Sequence, residues 1–476
     1  MVHATTTFAP KEPVYYWGEG GQYGPFNVQK DGDWAGWPDF GQVLRYFRKK
    51  AKLSAKAFGE LYGKTVNADG SAIGERWIFD MELDNKVPVD IGRRKAIARL
   101  LNIPAMLFGL AVLEDMTLEP HSQASRMVAT GQSKLVRVAV DTTRYRNNIH
   151  AIWHLHEASH AQGSFPQLSA DIQDLASFEQ HTQGDLRYHV QELLLSDLIL
   201  ATHIVRDQRQ FDVAYALANK AVRVAKSMED SDLLATALFT RGWTRLEWGM
   251  FGTIERNTFQ VQQDKLMAAI RDFQTALHLF PAQGGKESMH PQLLGNLRIF
   301  LRRAQATLAL SRGERMPASV LIAIDDVADT VDKQNIDDPY TRVLVRGQRK
   351  NWHKASYLLA RASAFTVAGV PGQALKEMNA FEAQQKLYGR DETRQFAWLD
   401  ILKANIYMGL EEFGSATQYA KRALIACQDI NSITNTAIIT DIYGRLVISR
   451  HKASSDVQEL GDILRESPVS FLEPEE

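Results

Sequence analysis

Residues 40–63 read FGQVLRYFRKKAKLSAKAFGELYG, and this stretch decides the fold of the N-terminal part of the chain. Phe40, Leu44 and Phe47 recur at intervals of four and three residues, which places them on one face of a helix. Ser54 should begin a second helix, because its hydroxyl can accept a hydrogen bond from an unpaired amide of the first turn. The stretch therefore predicts two short helices packed through an apolar face.

The second helix should bury Phe58 together with Leu61 or Tyr62. Gly59 should let another helix approach closely, and Gly63 should end the helix. A third helix is predicted in SAIGERWIFDME, a fourth in DIGRRKAIARLLNIP and a fifth in AMLFGL. Together these segments predict a five-helix domain.

Taken in order, the segments resemble the Xre (phage-repressor-like) family of helix-turn-helix proteins. The likeness rests on LSAKAFGELYG in the second helix, on the NKVP turn and on IARLLNIPAMLFGL at the close. It implies a DNA-binding domain over residues 40–110 whose third helix enters the major groove. If Ile78 and Met81 face inward, Arg76 and Trp77 face outward and can reach bases. The predicted DNA-binding residues are Ser54, Lys56, Lys64, Ser71, Arg76, Trp77 and Lys86. A helical bundle that only dimerises or docks a protein is the alternative.

Local charge agrees with a nucleic-acid partner. Between Phe40 and Ile103 there are thirteen Lys and Arg residues and seven Asp and Glu residues, whereas the whole chain has a net charge of −1. Lysine and arginine that neutralise phosphates supply most of the sequence-independent affinity for DNA. A basic domain joined to an acidic remainder is what we expect of a DNA-binding head on a sensor.

The composition indicates a soluble cytoplasmic protein of two or three domains. A chain of 476 residues can bury a sizeable core, and no apolar run is long enough to span a bilayer. The N-terminus lacks the features of a signal peptide. Cys427 is the single cysteine, so the sequence contains no pair for an internal disulfide. We expect no membrane partner and no cofactor.

Residues 1–39 form an aromatic-rich arm. It contains the run YYWGEGGQYGPFNV, which has too many rings for a flexible tail and predicts an irregular segment or short β-hairpin. We expect it to pack against the helical domain.

The second half of the chain repeats a pattern of small residues. Helix pairs whose backbones approach closely need a small residue on each helix, at recurring offsets. The pattern is carried by Thr202, Ala214 and Ala221; Gly242, Ala269 and Ala276; Ala362 and Ala374; and Ala404, Ala416 and Ala423. In the copy with Ala362 and Ala374, Phe381 takes the third place. One copy contains an insertion around residues 248–263.

This pattern resembles tetratricopeptide repeats, which implies a helical superhelix over residues 191–470. An unrelated antiparallel helical array is the alternative. Residues 111–190 should be a helical linker region, with LVRVAV from Leu135 as its one strand-like run. The whole chain is therefore predicted to be all-α, apart from the arm.

The helix register predicts a ligand groove. The residue that follows each small residue, and those four or five positions further on, fall toward the concave surface. There Asn405 could bond both polar groups of a peptide backbone, and Arg206 could receive a carboxylate. The predicted ligand-binding residues are His203, Arg206, Trp243, Glu247, Ser363, Thr366, Asn405 and Met408. They could equally line a solvated groove or contact a neighbouring subunit.

The sequence HEASH, residues 156–160, matches the HExxH pattern of zinc peptidases. In that pattern His156 and His160 bind the metal and Glu157 is the general base; Glu179 or His181 could be a third ligand. A helix-turn-helix joined to such a motif resembles the repressor-cleaving metallopeptidases of mobile elements. However, the histidines share an apolar stripe with Ile149 and Ile152. We therefore predict no metal site and no enzyme activity.

A helix-turn-helix followed by tetratricopeptide repeats resembles the peptide-responsive regulators of Gram-positive bacteria. The resemblance implies a homodimer that binds duplex DNA and responds to a short peptide or protein ligand in the groove of its repeats. Two alternatives remain: a metallopeptidase with a targeting head, and a scaffold for protein contacts.

Overall fold

The structure is a computed structural model of the chain. It describes residues 15–31, 34–67, 69–110, 137–139, 142–157, 161–255, 258–280, 291–314, 352–388, 393–429 and 432–467. Two compact units are present: Met1–Arg146 with Asp174–Gln191, and Asn147–Gln173 with Glu192–Glu476. The described residues are mostly helical with two small sheets, which confirms the all-α prediction. None of the described helices is long and apolar enough to cross a membrane.

Within the described residues 15–110 and 137–139, the first unit contains a three-stranded sheet and four α-helices. Its elements are β1 (Tyr15–Trp17), β2 (Tyr23–Phe26), α1 (Phe40–Lys50), α2 (Ala55–Val66), α3 (Glu75–Leu83), α4 (Ile91–Leu101) and β3 (Arg137–Ala139). The last predicted helix of this domain, AMLFGL, is only a 3-10 turn over Ala105–Phe108. The prediction of five helices is thus wrong by one, because this segment is too short to complete α-helical turns.

The aromatic arm is a β-hairpin built into the core of the first unit. Strand β1 pairs antiparallel with β2 on one side and with β3, from the predicted strand-like run, on the other. Trp17 and Phe26 are buried in the same cluster as Phe40 and Leu44 of α1. The hairpin therefore completes the helical core.

Polar side chains set the starts of three helices. Asp39 accepts a hydrogen bond from the amide of Gln42 at 2.8 Å, and Ser54 accepts one from Ala57 at 3.0 Å. Asp90 caps α4 through the amide of Arg93. Each cap satisfies an amide that the helix itself leaves unpaired.

Helix α2 continues through Gly63 to Val66, so the prediction that Gly63 ends it is wrong. A Cβ atom on Gly59 would lie 2.3 Å from the carbonyl oxygen of Ile73, and one on Gly63 equally close to that of Ser71. Both glycines are therefore required for close approach of the chain that precedes α3. Tyr62 is buried, whereas Leu61 is 44% exposed.

The predicted third helix begins later than its sequence suggests. Residues 71–74 are not helical, and α3 starts at Glu75, with Ile78 and Met81 buried. The amide of Ile73 donates to the carbonyl of Gly59 at 3.1 Å, which fixes this segment against α2. Its backbone bonds therefore go to α2 and not to a helical turn.

Three helices contribute residues to both units: α5 (Thr142–Glu157), α6 (Phe165–His181) and α7 (Gly184–Asp207). The divisions follow residues 146, 173 and 191, so the segment predicted as a linker contributes to both units; its residues 111–136, 140–141 and 158–160 lie outside the described part. The second unit continues with α8 (Phe211–Ser227), α9 (Ser231–Phe251), β4 (Thr253–Glu255), β5 (Thr258–Gln260), α10 (Gln263–His278), α11 (Pro291–Ser311), α12 (Trp352–Val367), α13 (Pro371–Tyr388), α14 (Thr393–Gly409), α15 (Phe413–Asp429), α16 (Ile433–Val447) and α17 (Ser455–Glu466).

Consecutive helices of the second unit pack in pairs, α9 with α10, α12 with α13, and α14 with α15. The small residues of the repeated pattern are all buried. Helix α11 links the pair α9 and α10 to α12.

The insertion between α9 and α10 is a two-stranded antiparallel hairpin, β4 with β5. It packs on α16, where the amide of Phe259 donates to Asp441 at 3.0 Å. At the start of the same helix, Thr434 donates to the carbonyl oxygens of Arg206 and Asp207 on α7, at 3.3 and 2.9 Å. A late helix of the array is thereby fastened to an early one.

Gly242 provides a test of close helix packing. A Cβ atom there would lie 2.6 Å from Cε1 of Phe273, whose ring is buried in the core. Alanine in a helix interior is ordinarily more stable than glycine by about 1 kcal/mol. We nevertheless expect Gly242→Ala to lower the free energy of unfolding by about 1–3 kcal/mol in chemical denaturation, because the core is overpacked.

The matched control is Gly414→Ala in α15, where nothing lies within 4 Å of the added Cβ atom. This variant should be neutral or slightly stabilised. If both variants changed stability in the same direction, close packing at Gly242 would not be the constraint.

Candidate functional site

The predicted DNA-binding residues of the first unit lie on or beside α2 and α3. Lys56 and Lys64 are exposed on α2, while Arg76 and Trp77 are exposed at the start of α3. The ring of Trp77 stacks on Tyr62 with 6.1 Å between centroids. Arg76 thus directly precedes a tryptophan whose ring is held in place by the buried Tyr62.

The other three predicted residues have local partners. The hydroxyl of Ser54 caps α2, and that of Ser71 accepts a hydrogen bond from Asn67 at 3.1 Å in the loop before α3. Lys86 donates to Asp84 at 2.8 Å, and this bond raises the pKa of Lys86. The positive charge of Lys86 is therefore largely balanced within the chain.

A buried ion pair sets the position of α3. Arg48 of α1 donates from Nε and Nη2 to the two carboxylate oxygens of Glu82, at 2.5 and 2.8 Å, and from Nη1 to the carbonyl of Leu53. The hydrogen bond to Glu82 raises the pKa of Arg48. This two-pronged contact ties α1 to the end of α3 and so orients the exposed side of α3.

A second arginine of the first unit also has a structural role. Arg94 donates to the carbonyls of Pro88 and Phe108, and its guanidinium lies 4.8 Å from the ring of Trp34. Its burial lowers its pKa. Without Arg94 and the pair Arg48–Glu82, eleven basic residues and six acidic ones remain between residues 40 and 103. The surface balance is still basic.

The outward side of α3 also carries features that oppose or complicate DNA binding. Glu75 and Asp80 lie on this helix, and Asp84 follows it. Large apolar side chains are exposed as well: Leu83 is 67% exposed and Val89 86%. The surface is therefore mixed in character.

In the second unit, four of the eight predicted ligand-binding residues come together. Arg206 lies 2.9 Å from Glu247 (Nε to Oε2), and its Nη2 lies 3.0 Å from Nδ1 of His203. The guanidinium also sits 4.1 Å from the ring of Trp243, whose Nε1 donates to Glu247 at 2.6 Å. All four residues are buried or half-buried.

Two further residues join this group from α11. Phe300 lies 5.0 Å from Trp243 between ring centroids, and Arg303 is buried close enough to Glu247 for the carboxylate to act on its pKa. Trp153 and His156 of α5 border the other side, with ring centroids 5.5 and 6.2 Å from that of His203. We call the eight residues the central cluster: Trp153, His156, His203, Arg206, Trp243, Glu247, Phe300 and Arg303.

Burial lowers the pKa of both arginines in the central cluster, and Glu247 opposes this effect. Arg206 lowers the pKa of Arg303 further, as one positive charge does to another. Sequence reasoning missed Arg303. The signal was available, since Arg303 follows Phe300 by three residues and precedes the buried Thr307 by four.

The four remaining ligand-binding candidates lie in other surroundings. Ser363 is buried on α12, and the hydroxyl of Thr366 donates to the carbonyl of Ala362 in the same helix. Asn405 donates to the carbonyl of Ile401 and accepts a hydrogen bond from Arg445. Its amide thus makes one donated and one accepted hydrogen bond within the protein.

Met408 packs against the buried cluster of α14 to α17, which includes Ile442. This environment is that of a core side chain. It gives no support to a ligand-binding role for Met408.

The HEASH motif is only partly described. His156 is buried, and its Nε2 lies 3.7 Å from a carboxylate oxygen of Asp207. His160 and the side chain of Glu157 lie outside the described residues. Each of the two proposed third ligands has a hydrogen-bonding neighbour: Glu179 accepts a hydrogen bond from Gln191, and Nδ1 of His181 lies 2.8 Å from the carbonyl of Ser177.

Glu247 is the carboxylate that acts on both buried arginines of the central cluster. We expect Glu247→Gln to lower the free energy of unfolding by about 3–5 kcal/mol, because it keeps the size of the side chain but leaves two buried cations uncompensated. Chemical denaturation monitored by circular dichroism measures the loss. Glu466→Gln, at the exposed end of α17, is the control and should leave stability unchanged. Equal stability of the two variants would contradict this account of the cluster.

A scan against protein-family models gives no match to the chain, and a search of curated proteins gives none either.

Proposed function

We propose that the protein is a DNA-binding transcriptional regulator whose helical array senses a ligand. The observation that carries the proposal is the ordered set of helices α1 to α4. The chain before α3 is held against α2 by the hydrogen bond from Ile73 to Gly59, and Arg76, Lys56 and Lys64 are exposed on these two helices. This arrangement is what a helix-turn-helix of the Xre type requires. The basic surface balance supplies the sequence-independent attraction to phosphate.

The array of paired helices in the second unit supports the sensing part of the proposal. Its buried small residues are those expected of tetratricopeptide-like repeats, which commonly use their inner surface to bind a partner. In a homodimer, a ligand that changes the geometry of the array would change the separation of the two DNA-binding heads. A dimer reads two half-sites only when that separation matches the helical repeat of DNA.

Selection from a random duplex library at low salt tests the proposal. Enrichment of a common sequence by the full chain supports a regulator, and a palindromic product supports a dimer. If no sequence is enriched, the proposal fails.

Arg76 should carry part of the sequence preference. We expect Arg76→Ala to weaken binding to the selected site by about 1–3 kcal/mol while leaving binding to unrelated duplexes nearly unchanged. Fluorescence anisotropy with both duplexes measures the difference. Arg465→Ala, at an exposed position of α17, is the matched control and should change binding to neither duplex. An equal loss on both duplexes would reassign Arg76 to phosphate contact.

Lys56 and Lys86 should differ, although both are exposed lysines close to α2 and α3. Lys56→Ala should weaken binding to every duplex and lower the slope of log K against log salt by about 1, because one phosphate contact is lost. Lys86→Ala should have a smaller effect, since Asp84 already holds its charge. A larger effect of Lys86→Ala would show that the lysine leaves Asp84 to meet DNA.

The second candidate is a first unit that binds protein in place of DNA, and the exposed Leu83 and Val89 favour it. Where that protein is a second copy of the chain, the double change Leu83→Ser, Val89→Ser should lower the particle mass measured by light scattering without loss of helix. Under the regulator proposal alone the mass should stay unchanged. The library selection separates the two candidates independently.

A further inference from the structure

The interior of the second unit contains an imbalance of charge. Arg206 and Arg303 are both shielded from solvent, on α7 and α11, and the described carboxylate that acts on both is Glu247 of α9. Moving a charge out of water costs several kcal/mol unless an opposite charge or a full set of hydrogen bonds compensates it. Arg206, Arg303 and Glu247 together therefore carry a net charge of +1.

Hydrogen bonding shows the same deficit. Among the described residues, nothing accepts a well-aligned hydrogen bond from Nε or Nη1 of Arg206, or from Nε of Arg303. Nε of Arg206 lies 2.9 Å from Glu247, but the N–H does not point at the oxygen. The other oxygen of Glu247 accepts from Trp243. Buried donors without acceptors are rare in folded proteins.

Two other arginines of the chain are compensated more completely. Arg48 donates to both oxygens of Glu82 and to a carbonyl, and Arg241 donates to both oxygens of Asp272 and to Asn219. In the central cluster, three donors of two neighbouring arginines have no aligned acceptor among the described residues. It is the pattern of a site whose acceptor comes from outside the chain.

Aromatic rings surround these donors. Trp243 lies against Arg206, Phe300 lies 5.0 Å from Trp243, and His203 lies 5.2 Å from Trp243 between ring centroids. A bare inorganic ion would gain nothing from these ring faces. An anionic group carried on an aromatic or aliphatic body would use both the donors and the rings.

We propose that Arg206 and Arg303 bind the carboxylate or phosphate group of a small organic anion, with Trp243 and Phe300 packed against its apolar part. This rests on the ligand-sensing part of the proposed function and names the class of ligand. The anion joins α7, α9 and α11 and supplies the missing negative charge.

Thermal unfolding of the full chain without DNA tests the site, with benzoate and phenyl phosphate as probes and benzyl alcohol as the uncharged comparison. Both anions should raise the melting temperature in a concentration-dependent manner, by about 2–5 °C at roughly ten to a hundred times the dissociation constant. Benzyl alcohol should not. The anion with the larger shift identifies the preferred charged group. The absence of a shift with either anion at millimolar concentration overturns the proposal, as does an equal shift with inorganic phosphate or acetate.

Arg303→Met separates a binding role from a structural one. It keeps the length of the side chain and removes the uncompensated charge, so the variant without anion should melt at or above the temperature of the wild type. The shifts with benzoate and phenyl phosphate should disappear. If the variant is destabilised, or if the shifts persist, Arg303 is not the anion-binding residue.

Two further variants complete the test. Arg303→Lys keeps the charge but loses the fork of donors, and it should weaken anion binding at least tenfold. Arg245→Met removes an arginine that is paired with Asp272 outside the central cluster, and it should retain the anion-induced shift. Loss of the shift in Arg245→Met would point to a general charge effect and overturn the site. These measurements contain no DNA, so a negative result would overturn the anion site without deciding the outcome of the library selection.

Discussion

Two helices can bring their backbones into near contact only where one of them lacks a bulky side chain, and this constraint governs both units. In the first unit Gly59 admits the carbonyl of Ile73 against α2, so α3 lies close enough for Ile78 to reach the core. In the second unit Gly242 admits the ring of Phe273. The positions of the exposed Arg76 and of the half-buried Glu247 both depend on contacts of this kind.

Close packing leaves little room for water, so each interior charge needs a partner within the protein. Arg48 has one in Glu82, and Arg94 uses backbone carbonyls and the face of Trp34. Those two arginines are part of the scaffold. Arg206 and Arg303 differ, because the same dense packing surrounds them with rings and a single shared carboxylate. The contrast supports the proposed anion site at Arg206 and Arg303.

Features with local causes could be predicted from the sequence, whereas those set by distant contacts could not. Ser54 caps α2 because its partner amide is three residues away, and register alone grouped Arg206 with Trp243 and Glu247. Gly63 was misassigned, because the sequence shows a helix breaker and not the carbonyl of Ser71 that needs the space. Asn405 looks open in register, yet Arg445 reaches it from α16. Such contacts depend on tertiary packing that helical periodicity does not contain.

The contacts of α16 with α7 and with the β4–β5 hairpin have a consequence for how this architecture can change. In an open repeat protein each repeat touches only its neighbours, so repeats can be added or deleted and the ends fray independently. Here Thr434 joins α16 to α7, and Asp441 joins α16 to the β4–β5 hairpin. A repeat inserted or deleted between the hairpin and α16 would move α16 away from both of these partners. We therefore expect the helix pairs between α7 and α16 to unfold together and not one by one.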